Sequence, residues 1–121
     1  MRAAITGGSV ALLVSAGLAL AAPVGRMLPK DIEMTFFNGQ AFTASTLSNV
    51  KFKMVFSANN TMTREPAGKG GAKAEGAWKL SPDGFCTTWK GSKENCFRVQ
   101  ANGNNKWSII AGTSAIATWS K

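Results

Sequence analysis

The chain contains no histidine, only two cysteines and only six acidic residues. Without histidine the commonest general acid–base side chain is missing. Two thiols and sparse carboxylates also leave a tetrahedral zinc site short of donors. The acids are Asp31, Glu33, Glu65, Glu75, Asp83 and Glu94; Asp83 falls in a turn signal and Glu94 in a loop beside lysines, where solvated pairing is the expected role. No serine sits in a nucleophile motif, and the cysteines lack the Cys-x-x-Cys spacing of a catalytic dithiol. Residues 66–73, PAGKGGAK, lack the Walker spacing and run into strand signals rather than a helix, which excludes a phosphate loop. The apolar run from Val10 to Leu20 falls short of the roughly 20 residues a membrane helix needs, and the strand-like runs fall short of the roughly 9 to 11 of a membrane barrel strand. The expectation is a protein that is not an enzyme, with no metal, no cofactor and no transmembrane span.

What is present starts with an export signal. Arg2 gives the positive start, Val10 to Leu20 the apolar run, and Ala19-Leu20-Ala21 a small-x-small cleavage site before Ala22. No cysteine follows that site, so a lipoprotein anchor is not expected. Residues 1–21 are assigned to a signal peptide and the protein to the periplasm or the medium. Residues 22–30, with Pro23, Gly25 and Pro29 and no periodicity, form a lead-in segment whose start should be poorly ordered. Residues 31–121 are enough for one β domain with one core.

Strand signals recur throughout that domain. Residues 31–37 read as a strand bounded by Asn38-Gly39, a dipeptide suited to a hairpin, and residues 40–44 as its partner; Asp31 offers the alternative of capping a short helical turn. Val50, Phe52, Met54 and Phe56 alternate with Lys51 and Lys53, the pattern of a half-buried strand with a basic outer face. Residues 61–64 return after Ala58-Asn59-Asn60; Asn59-Asn60-Thr61 matches a glycosylation acceptor but reads better as a turn. The glycine-lysine stretch 66–73 should be a mobile basic loop. Residues 75–80, 85–89 and 96–99 form three further strands, the first pair joined by Ser81-Pro82-Asp83-Gly84, where glycine accepts the positive φ a tight reversal often needs. Residues 106–110 and 115–119 complete the chain. Eight or nine short strands with turns every 8 to 12 residues predict an all-β antiparallel meander, closing into a lipocalin-like barrel or packing as a sandwich.

Export places Cys86 and Cys96 in an oxidising compartment, where one structural disulfide is expected. Period-two parity sets both on the face opposite Phe85, Trp89, Phe97 and Val99, so the bond should staple a hairpin from outside the core. By the same parity Trp78 shares a face with Leu80, Trp89 with Phe85, and Trp107 with Ile109, as core residues do. An exposed stacking platform for bases or sugars would need lysines interleaved on that face, and Lys79 and Lys106 point away from it.

The pattern Gly76-Ala77-Trp78, Asp83-Gly84-Phe85-Cys86, Trp89 and Cys96 resembles uncharacterised small exported β-domain proteins of proteobacteria. The resemblance covers about a quarter of the chain. It implies export and a β fold and brings no active site with it.

Fourteen Lys and Arg against six acids give a net charge of +8, a balance that serves solubility or an anionic partner. The leading expectation is a non-catalytic binding or envelope-associated module engaging an anionic envelope component or nucleic acid through Lys51, Lys53, Lys69, Lys73, Lys79, Lys90, Arg98 and Lys106. The alternatives are a small barrel holding an apolar ligand and a protein inhibitor or accessory factor. The oligomeric state is not legible in the sequence.

Overall fold

A computed structural model describes residues 25–121; the signal-peptide assignment and the start of the lead-in lie outside the described residues. Alternating apolar and polar runs become eight strands: β1 (Ala41–Thr46), β2 (Lys51–Phe56), β3 (Thr61–Pro66), β4 (Ala74–Ser81), β5 (Gly84–Trp89), β6 (Glu94–Ala101), β7 (Lys106–Ala111) and β8 (Ser114–Ser120). Each pairs antiparallel with the next, and β1 returns to β8 through pairs such as Ala44 with Trp119. The meander is therefore a closed barrel in which each described strand has a neighbour on both sides. Period two decides what enters it. Along β2, Phe52, Met54 and Phe56 are buried while Lys51 and Lys53 face solvent.

The segment expected as a first strand is instead a helix, α1 (Pro29–Phe36). Ile32, Met34 and Phe36 satisfy a strand period, but Ile32 and Phe36 are also four residues apart and share a helix face. In the structure these two are fully buried and Met34 is 66% exposed. Pro29 at the start favours the helix, since its fixed φ suits the first turn and its missing N–H costs nothing there. Asp31 lies in that first turn and does not cap it; Leu28, extended, is the N-cap residue. Eight residues are too few for a stable isolated helix, so packing holds it. Asn38-Gly39 ends this helix rather than turning a hairpin: Asn38 Nδ2 donates to Met34 O at 3.0 Å, and Gly39 takes φ +85.

The helix fills one end of the barrel, here the lower end, where β2–β3, β4–β5 and β6–β7 connect. Phe36 meets Phe42, Trp107 and Trp119 with ring centroids 4.9 to 5.1 Å apart. Phe37 meets Phe56 and Trp78, both at 4.5 Å. Trp78 is fixed by Nε1 donating to Ser57 O at 2.9 Å, which satisfies its polar edge at a buried position. The later lead-in is structured too. Met27 N donates to Val99 O and Ala101 N to Gly25 O, at 2.9 and 2.7 Å, where β6 has run past β5.

Cys86 and Cys96 are directly paired between β5 and β6 and are joined by a disulfide. The bond lies on the face of Lys79 and Glu94, which bridge beside it at 3.0 Å, with Cys96 exposed but Cys86 buried. Gly84 is needed for a different reason from the one expected. Its φ is not positive; a Cβ there would run into the carbonyl oxygen of Phe97, so glycine permits a close approach of two backbones.

Candidate ligand-binding site

With α1 filling the lower end, the rest of the interior is lined by strand side chains and is partly open to solvent. Strands β1, β2, β5, β7 and β8 send in Ala44, Phe52, Met54, Phe85, Ile109 and Trp119, and a cavity of about 160 Å³ remains among these and their neighbours. Its lining is apolar apart from Thr46, Thr87 and Arg64.

Arg64 reaches this lining because β3 alternates: Met62, buried, and Arg64, half-buried, share the inner face. The guanidinium carbon lies 4.7 Å from the Phe52 ring centroid and 4.9 Å from that of Trp89. Such contacts offset part of the cost of placing a cation against apolar walls. They do not satisfy its N–H groups. Arg64 Nε is buried with no hydrogen-bond partner, and among the described residues no carboxylate pairs with Arg64; the ion pairs are Lys53–Glu65, Lys73–Glu65 and Lys79–Glu94.

Arg64 also faces outward. Beyond the Arg64–Ala74 pair, β3 and β4 cease to pair, and an open groove of about 650 Å³ lies there, bordered by Thr63, Arg64, Glu65, Lys73, Glu75 and Lys90. Arg64 is the residue common to groove and cavity. The glycine-lysine loop after β3 packs a glycine on the site. Gly71, at φ +85, sits where a Cβ would come within 2.6 Å of the Phe52 ring.

The eight cations singled out from sequence are distributed over several elements. Lys51 and Lys53 lie on the outer face of β2, Lys69 and Lys73 in the loop after β3, and Lys90 in the β5–β6 turn. Lys53 and Lys73 share Glu65, and Lys79 on β4 is taken by Glu94. Arg98 on β6 donates to Gly112 O, and Lys106 opens β7 at the opposite end. All four tryptophans belong to the interior: Trp78 and Trp119 are buried, and Trp89 and Trp107 pack against the core. Cys86, Glu94 and Cys96 bring their potential ligand atoms within 4.8 Å of one another, but both sulfurs are committed to the disulfide. Asn59 Oδ1 accepts from Thr61 N and Oγ1 in a turn in which Asn60 takes φ +69.

Sequence reasoning passed over Arg64. The available signal was parity, a charged residue two positions from Met62 on the apolar face of a strand, with no acid in step with it. Comparison with protein-family models, with curated proteins and with solved structures finds no match to this chain.

Proposed function

We propose that this chain is an exported, non-catalytic binding protein whose barrel receives a small apolar ligand in its upper half. The observation that carries this reading is the apolar cavity of about 160 Å³ inside a barrel whose other end is filled by its own helix. That volume suits a guest of about the size of benzene, which an apolar cavity near 150 Å³ accepts. It is too small for a long acyl chain. The cavity lining offers a ligand surface but no nucleophile paired with a base. Export is supported by the structural disulfide, a feature of oxidising compartments. A polyanion-binding face has less behind it, because the cations it would use lie at different heights on the barrel and three of them are paired with glutamates.

Toluene titration followed by NMR tests the reading. Saturable shifts of the Met54 methyl and Trp89 indole resonances are expected, with the Trp78 indole at the filled end unmoved. Unchanged spectra up to the solubility of toluene would overturn it.

A further inference from the structure

We infer that Arg64 is an anchor for an anionic head group, so that the ligand is a small aromatic or short branched carboxylic acid rather than a neutral hydrocarbon. The inference rests on the barrel reading and adds the chemistry of the ligand's polar end.

Three observations converge on this residue. Among the described residues it is the single charged side chain of the cavity lining. Its contacts with Phe52 and Trp89 are to aromatic rings, which leaves the N–H edge of the guanidinium to find an acceptor. Its Nε is buried with none supplied by the described residues, and a buried donor without a partner is costly. A purely structural arginine at this position would be expected to recruit a carboxylate or a backbone carbonyl. Glu65, the next residue, turns outward to Lys53 and Lys73 instead.

A planar guanidinium presents its donors as a fork that matches a carboxylate in two parallel hydrogen bonds, stronger than neutral ones. A ligand of this type would place its apolar body among Phe52, Met54 and Ile109 and its carboxylate at Arg64, where cavity and groove meet. Among the described residues no acid lines the cavity to repel it. On the groove side Lys73 and Lys90 stand beside Glu65 and Glu75, so the approach is of mixed charge and selection falls to Arg64. The small volume sets a second limit, since one ring or a short branched chain fills it.

Calorimetric titration of the whole exported domain with 3-phenylpropionate and with 3-phenyl-1-propanol tests the inference, because the two differ in the head group alone. Wild-type protein should bind the acid at least about tenfold more tightly than the alcohol, as expected for one charge-assisted pair. Arg64→Met should bind the two alike, and Arg64→Lys should retain part of the preference, since a lysine keeps the charge without the fork. Equal binding of acid and alcohol by wild type overturns the anchor while leaving the barrel reading intact. A preference for the acid that persists in Arg64→Met overturns it too, by assigning the selection to the groove lysines. If neither compound binds and toluene does not either, the barrel reading itself has failed. The wild-type comparison needs no variant, so it decides the matter even if Arg64→Met does not fold.

Discussion

Phe37 lies stacked on Phe56, with ring centroids 4.5 Å apart and planes inclined by 14°, and so couples the residue just past the helix to the end of β2. The pair is nearly inaccessible to solvent, at 2% and 1% exposure. Phe37→Ala should lower stability by roughly 3 to 5 kcal/mol, the cost of deleting a buried aromatic side chain. Urea denaturation followed by tryptophan fluorescence measures it. Met34→Ala, on the exposed face of the same helix, should change stability by less than about 0.5 kcal/mol.

The disulfide links residues separated by 10 positions across a hairpin. Replacing both cysteines by alanine should cost roughly 3 kcal/mol, the effect of constraining a short loop in the unfolded chain. The denaturation midpoint of this variant against wild type, with and without reductant, checks the figure. Reductant should have no effect on the variant. Glu94→Gln, which breaks the exposed bridge to Lys79, should cost less than about 1 kcal/mol.

At Gly84 even one methyl group meets the Phe97 carbonyl. Gly84→Ala should destabilise by about 1 to 3 kcal/mol through backbone displacement, whereas Gly112→Ala, in open space but at φ +62, is strained by conformation alone. Thermal denaturation of the two variants separates the causes, with Gly84→Ala expected to shift the β5–β6 amide resonances.

Ala44 is buried on the cavity wall. Ala44→Leu should occupy the space a ligand would take, abolishing the toluene-induced shifts while stability changes by no more than about 2 kcal/mol in either direction. NMR titration and urea denaturation on the same sample check both parts.

Much of the fold was legible because a strand's period of two is strong in short segments. The inner faces of β2, β4, β5 and β7 could be read from Phe52, Trp78, Phe85 and Ile109, and the face of the disulfide followed from the same parity. Residues 31–37 were ambiguous because Ile32, Met34 and Phe36 carry both periods. Pro29 favoured the helix locally, but the choice was settled by where Phe36 and Phe37 could be buried, which is a tertiary fact. The choice of barrel over sandwich likewise rests on β1 meeting β8, and no local pattern encodes that pairing.

The candidate site was less legible than the scaffold. Lysines drew notice as a count, whereas their pairing with Glu65 and Glu94 depends on which strands are neighbours. Arg64 carried a sequence signal in its parity with Met62. Its rings, Phe52 on β2 and Trp89 on β5, come from segments far apart in the chain and meet only once the barrel closes.

The most direct test of the central claim is a crystal structure of the protein under xenon pressure. Xenon enters dry apolar cavities of this size without needing a specific contact. The ligand-chamber reading predicts a xenon peak in the upper half of the barrel, between Phe52, Met54 and Ile109, and none among Phe36, Phe37 and Trp78. An upper interior filled by repacked side chains, with no xenon peak there, would contradict it.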